Sequence, residues 1–391
     1  MRTCSARGRC GYANWRRRDD RRRPATATIE TTLNMPKSIA ILDEDHVVGL
    51  VHQLMKGDRA AAEPGLKAFF APEVCDMDAL WSLAAGLTEA DGVRLVKCKR
   101  PEDAIGSDVL LFRRGQVTRE MMESNPALVL VQRWGERSDM IDCAAAKSRG
   151  VWVSCLQRPM LHYVAEHVLL LALTLLKKLV ASDRAVRDAP AAGAPAAEGQ
   201  MRYNWPGIPG VNGLYGKTIG IIGMGEIGSL ACQKARALGM RVLYFNRTRL
   251  PEAYEAACGV EYRSLDELLE ESDIVSLHAT FHAGGEKLID AERLARMKRG
   301  AIFINTGRGQ LVDEAALFSA LRSGALAGAG LDVHGREPRH QGDPLFTLDN
   351  VILTPHLAGG SRLGTVMEIR GILENVRAAF DRRPPVHCRV A

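Results

Sequence analysis

Arg308, Glu337 and His356 are the residue types that reduction of a 2-keto acid would need, and each follows a short apolar run. Ala301-Ile-Phe-Ile-Asn305 leads into Thr306-Gly307-Arg308-Gly309. Ala329-Gly-Leu-Asp-Val333 leads into His334-Gly335-Arg336-Glu337-Pro338, and Val351-Ile-Leu-Thr354 into Pro355-His356-Leu357-Ala358-Gly359. A guanidinium such as Arg308 can grip an α-carboxylate with its planar fork and polarise the adjacent carbonyl. The imidazole of His356 titrates near neutral pH and can give a proton to a developing alkoxide. Glu337 can bond the other ring nitrogen and favour the protonated imidazole. Singly, such residues are more often a solvated arginine or a structural histidine. Their recurrence at three strand ends points to chemistry.

The reaction also needs a hydride donor. Ile219 to Ile222 is a β-branched run that enters Gly223-Met224-Gly225-Glu226-Ile227-Gly228, and a helical pattern follows from Ser229. In a G-x-G-x-x-G turn, Gly223 lets the chain leave the strand, Gly225 admits a pyrophosphate to the backbone, and Gly228 lets the helix approach the sheet. The helix N-terminus offers free N–H groups to the phosphates. The next strand ends in Asn246-Arg247-Thr248-Arg249, where an NAD site usually has a carboxylate. Asn246 would not repel a 2′-phosphate, and Arg247, Thr248 and Arg249 could hold it. The cofactor expected is therefore NAD(P)H, leaning to NADPH.

The elements that must position these groups alternate in βαβ fashion, so parallel sheets with right-handed crossovers are expected. Strands are read at 39–42, 94–98, 108–112, 127–131 and 151–154, then at 217–222, 241–245, 273–277, 301–305, 328–333 and 351–354. A long helix is read from about Met160 to Arg187, an Ala/Gly/Pro-rich loop over 189–216, and a final helix from Gly364 to Asp381. The fold class is α/β with two doubly wound parallel-sheet domains. Residues 37–160 plus 356–391 form the substrate domain and 161–355 the coenzyme domain, with the reaction site expected in the cleft between them.

Composition narrows the class. Of the residues, 46% are hydrophobic and 25% charged, as in a globular chain. The formal charge of +6 sits wholly in residues 1–36, where nine arginines face Asp19, Asp20 and Glu30. Nucleic-acid binding is therefore not expected of the neutral body. The basic tail reads as disordered. It is either a segment preceding the true start at Met35, a basic arm, or Arg-rich targeting sequence. The nine cysteines are dispersed, with no metal-ligand spacing, which fits reduced thiols in a cytoplasm and no metal. No membrane span is expected, because the run Val164 to Val180 is broken by Glu166, His167, Lys177 and Lys178.

With these motifs in order, the chain resembles the D-isomer-specific 2-hydroxyacid dehydrogenase family from about Ile39 to Phe380. The glycine turn, N-T-G-R-G, G-L-D-V-x-x-x-E-P, T-P-H-x-A-G and Val164-Ala-Glu-His167 all match it. The resemblance implies a flavodoxin-like substrate domain and a Rossmann coenzyme domain. It implies catalytic roles for Arg308, Glu337 and His356, cofactor contacts from Thr306 and Asp332, and a homodimer. It also implies a substrate loop whose backbone amides meet the carboxylate, here Arg113, Arg114 and Gly115. The second arginine of that loop, Gln157-Arg158-Pro159-Met160 and Gly135 to Met140 depart from the family pattern. A small 2-keto acid, glyoxylate or hydroxypyruvate, is the expected substrate. The alternatives are a phosphoglycerate dehydrogenase-like enzyme and a dinucleotide-sensing corepressor-type binding protein.

Overall fold

The computed structural model describes residues 37–43, 46–70, 76–135, 138–188, 208–279 and 287–390. The basic segment 1–36 and residues 189–207 of the expected loop lie outside the described residues. The chain divides into two compact units. One runs from Leu161 to Gly360, and the other comprises the described residues up to Met160 together with those from Ser361 onward.

The second of these units holds a five-stranded sheet of β1 (Ser38–Ile41), β2 (Arg94–Lys97), β3 (Val109–Phe112), β4 (Leu130–Trp134) and β5 (Trp152–Leu156). The order is β2-β1-β3-β4-β5 and every ladder is parallel, which is the flavodoxin-like order. β1, β3 and β4 are buried along their whole length. Ile39 and Ile41 enter one apolar cluster while Ala40 enters another. Two covered faces explain why these strands read as continuous apolar runs rather than alternating ones. β4 begins three residues later than the expected 127.

The Leu161–Gly360 unit holds a seven-stranded sheet. Its strands are β6 (Thr218–Ile222), β7 (Arg241–Phe245), β8 (Glu261–Tyr262), β9 (Ile274–Leu277), β10 (Ala301–Asn305), β11 (Leu326–Leu331) and β12 (Val351–Leu353). The order is β12-β11-β10-β9-β6-β7-β8, again all parallel. Counted from β6, this is the 3-2-1-4-5-6 order of a dinucleotide fold with one strand added at the edge. Ile302 and Ile304 face one core and Ala301 and Phe303 the other. Burying such a large side chain contributes roughly 1.5–3 kcal/mol.

Three expectations need correction. The helix expected from Met160 to Arg187 is two helices, Pro159–Leu176 and Leu179–Arg187, because Lys178 adopts a left-handed conformation with φ 52°. The first is long and apolar enough to cross a membrane by length and composition, contrary to the expectation that no run would be. More than half of it is buried in its unit, where Leu161, Val168, Leu171 and Leu175 pack with Ile219 and Ile221. Core packing thus accounts for its composition. The domain boundary expected before His356 falls after Gly360. The reason is local: the amides of Leu357 and Ala358 bond Asp332, at the end of β11, at 2.9 Å each.

Candidate active site

Strand register builds the site. Phe245, Ile222, Leu277, Asn305, Leu331 and Leu353 lie in one row across β7, β6, β9, β10, β11 and β12. The next residue on each strand is Asn246, Gly223, His278, Thr306, Asp332 and Thr354. All of the chemically loaded loops of this unit therefore leave the sheet from one carboxyl edge, where ligands of such sheets bind.

The turn after β6 suits a dinucleotide. Gly223 has φ 101°, and a side chain there would meet the His278 and Ala279 backbone at 2.9 Å. At Gly228 a side chain would meet the Gly223 carbonyl at 2.3 Å. At Gly225 it would project into open space instead, with nothing within 4 Å. Gly225 caps the helix Glu226–Ala237 and has no side chain with which to accept from its first turn. Met224 is buried, and its amide donates to Asn246 Oδ1 at 2.7 Å. Ile227 packs against the core. Thr306 is buried, and its hydroxyl has no hydrogen-bond partner among the described residues. A helix start with no side-chain cap, a Cβ-free approach and a buried hydroxyl without a partner among the described residues fit a bound dinucleotide.

The ribose-binding end differs from expectation at Arg249. Its guanidinium makes a two-pronged ion pair with Glu255, at 2.8 and 2.7 Å, and lies over the Tyr262 ring. Arg249, together with the Tyr244 hydroxyl, pulls the Glu255 carboxyl down to about 2. Arg247, Thr248 and Arg249 are all exposed, and Arg249 is held by its ion pair.

Arg308 follows β10 and is exposed, with Nη1 donating to the Gly307 carbonyl at 2.6 Å. Asn305 shapes this loop by accepting from the Gly307 amide and donating to the Arg308 carbonyl. Gly309 cannot carry a side chain, because its Cβ would stand 1.9 Å from the His334 carbonyl carbon. That contact locks the arginine loop onto the loop bearing Glu337.

Glu337 and His356 meet directly. His356 Nδ1 lies 2.8 Å from Glu337 Oε2, with the imidazole half exposed. Glu337 Oε1 accepts the His334 amide at 3.0 Å. Burial works to raise the Glu337 carboxyl, but the bonds from His356 and His334 outweigh it and its pKa is lowered. His356 has φ 53°, a left-handed conformation for a residue with a Cβ, which the surroundings must hold. A depression of about 370 Å³ beside the pair is lined by His334, Pro338, Phe346 and Leu353 among others.

Asp332 ends β11 and is tied to the loop after β12. It is buried, with Oδ1 accepting the Thr354 hydroxyl at 2.6 Å and the Leu357 amide, and Oδ2 the Ala358 amide. Both oxygens therefore fasten the His356 loop. His167 Nε2 lies 3.1 Å from the Thr354 hydroxyl. The links of Thr354 to His167 and His334 were not legible in the sequence, because they join residues 187 and 20 positions apart.

The loop of Arg113, Arg114 and Gly115 lies in the other unit. The amides of Arg113 and Arg114 donate to Asp43 Oδ2 at 2.6 and 2.5 Å, so these donors are already engaged. The Arg113 and Arg158 guanidinia lie 4.9 and 4.3 Å from the Trp134 ring centroid. Arg114 and Gly115 are exposed. Among the described residues no group of three metal-ligating side chains occurs.

Comparison with known proteins agrees with the geometry. The family described as D-isomer specific 2-hydroxyacid dehydrogenase, NAD binding domain, matches residues 169–358. A glyoxylate reductase of Korarchaeum cryptofilum is 39% identical over 267 residues, 68% of this chain and 77% of the relative. The crystal structure of a glyoxylate reductase from Paecilomyes thermophila is 28% identical, with a TM-score of 0.52 over 91% of this chain and 99% of that one. An acyclic imino acid reductase solved in complex with NADPH and D-Arg is 25% identical, with a TM-score of 0.51 over 90% of this chain and all of that one. The chain belongs to the D-isomer-specific 2-hydroxyacid dehydrogenase family, and it is an NAD(P)-dependent oxidoreductase acting on the CH–OH group of donors.

Proposed function

We propose that this chain works as a 2-keto acid reductase on glyoxylate, hydroxypyruvate or a related small 2-keto acid, with His356 as proton donor. The observation that carries this reading is the 2.8 Å bond between His356 Nδ1 and Glu337 Oε2. It leaves Nε2 as the free ring nitrogen to face a substrate oxygen. Glu337, held ionised, stabilises the imidazolium that donates the proton. Arg308 binds the α-carboxylate in its fork and draws charge from the carbonyl, which lowers the barrier to reduction. Asp332 holds the backbone on which His356 is mounted. The dinucleotide, held by Gly223 to Gly228 and by Thr306, supplies the hydride when bound.

The same reading favours NADPH. Asn246 carries no charge to oppose a 2′-phosphate, and its Oδ1 is occupied by the Met224 amide. Arg247 is an exposed cation beside it, and Arg249, also exposed, is ion-paired with Glu255. The imino acid reductase noted above, solved with NADPH, supports this choice. A homodimer in the cytoplasm completes the proposal. The dispersed cysteines, without metal-ligand spacing, support the compartment, and membership of the family supports the dimer. The test is a panel assay following NADPH and NADH absorbance with glyoxylate, hydroxypyruvate, pyruvate and 2-oxoglutarate. Turnover with the first two, faster with NADPH, is expected. Tight coenzyme binding with no turnover across the panel would overturn it in favour of a coenzyme-sensing protein.

A further inference from the structure

His334 lies outside the acid–base pair yet touches both sides of it. Its amide donates to Glu337 Oε1 at 3.0 Å. Its ring Nε2 lies 2.9 Å from the carbonyl of Thr354, two residues before His356. The ring is buried and oriented from behind, because Arg339 Nε donates to His334 Nδ1 at 2.8 Å. A ring nitrogen that accepts from a guanidinium carries no proton, so the hydrogen sits on Nε2 and is donated to Thr354. Arg339 is itself fixed, with its side chain 8% exposed, Nη1 on Asp343 Oδ2 at 2.5 Å and Nη2 on Glu314. Glu314 also accepts the Gly335 amide at 3.1 Å. The chain of bonds therefore runs from Glu314 and Asp343 through Arg339 and His334 to the two strand-end loops that bear Glu337 and His356.

We propose that His334, held in one tautomer by Arg339, is a positioning residue that sets the register between Glu337 and His356. The proposal rests on the reading of His356 as proton donor. Such a device has work to do, because His356 is in a left-handed conformation and Asp332 fastens its loop at the Leu357 and Ala358 amides and at the Thr354 hydroxyl, leaving the Thr354 carbonyl to others. The Thr354 carbonyl accepts the His356 amide at 3.0 Å, and His334 holds that same carbonyl. Apart from the Arg339, Glu337 and Thr354 contacts, the charged groups around this link are Glu314, Asp343, Asp332 and His356 itself. Arg339 is engaged by the first two and Thr354 by the third. Misplacing an acid by about 1 Å can cost on the order of a hundredfold in rate.

The experiment compares His334→Phe, which keeps a buried ring but loses the donor, with His334→Gln, whose amide can still donate to Thr354. Each is assayed for kcat and KM with glyoxylate, NADPH Kd and Tm beside the parent protein. The expected result is a fall in kcat of about tenfold or more in His334→Phe, with keto-acid KM and NADPH Kd within about twofold, and recovery of most of that loss in His334→Gln. An unchanged kcat in His334→Phe overturns the proposal. Equal losses in both variants also overturn it, since a merely structural role would not distinguish the donor. His356→Ala in the same assay separates the two claims. Full turnover there defeats the proton-donor reading itself, whereas the His334 result alone defeats only the positioning.

Discussion

The carboxylate of Asp332 receives the amide of Leu357 at 2.9 Å, and this ties the end of β11 to the residue that follows His356. With Oδ2 on the Ala358 amide and Oδ1 also on the Thr354 hydroxyl, one buried side chain fixes three points of a five-residue loop. His356 is therefore mounted on the same sheet as the glycine turn after β6.

Asp332→Asn should lose this anchorage in part. An amide in place of the carboxylate would face the Ala358 N–H with a donor, leaving it unsatisfied at a cost of about 1–3 kcal/mol. We expect kcat to fall by about ten- to a hundredfold, from displacement of His356, and the melting temperature to drop. Kinetics and a thermal melt on the variant check this. Parent-like values for both would show that the loop needs no such anchor.

Arg308→Lys keeps the charge and loses the fork. The KM for the keto acid should rise about tenfold or more and kcat should also fall, because a point charge cannot make two parallel bonds to a carboxylate. Coenzyme Kd should not change. Steady-state kinetics over a range of glyoxylate concentrations makes the comparison.

Arg247→Ser should weaken NADPH and spare NADH. Losing one charge-assisted bond of about 1.5–3 kcal/mol corresponds to roughly ten- to a hundredfold in Kd. Arg249→Ala should leave the NADPH-to-NADH ratio unchanged, since Glu255 already holds that guanidinium. Fluorescence titration with both coenzymes measures each ratio.

Much of this site was legible in the sequence. The glycine turn, with its apolar lead-in and helical sequel, marks β6 and the helix Glu226–Ala237, and the loops after β10, β11 and β12 announce themselves by their polar residues. The features that were not legible depend on partners far away or on single backbone angles. β8 has only two residues, too few to show a period. Lys178 breaks a helical pattern through its own φ, with no glycine or proline to signal it. Arg249 looked free because Glu255 reads as a helix-face acid, and the anchoring bonds of Asp332 were not legible because their partners lie 22 to 26 residues on.

Acid should destabilise the coenzyme-binding unit through His278. Burial pushes this imidazole down from the ordinary 6.5 to about 4. Its Nε2 lies 2.8 Å from the Ser276 hydroxyl, while Nδ1 has no hydrogen-bond partner among the described residues. The fold accommodates the neutral ring, so the stability it contributes is complete above pH 6.5. That stability declines as pH falls from 6.5 through about 4, where the unfolded chain binds a proton that the folded one does not. His278→Gln should flatten this part of the melting-temperature profile. An unchanged slope between pH 6.5 and 4 would remove His278 from the account.

The central claim is that His356, oriented by Glu337, donates the proton. The most direct measurement is kcat for NADPH-dependent glyoxylate reduction by His356→Ala, with NADPH Kd determined on the same preparation. The account predicts a loss of roughly a hundred- to ten-thousandfold in kcat with Kd within about twofold of the parent protein. Turnover near that of the parent would contradict it.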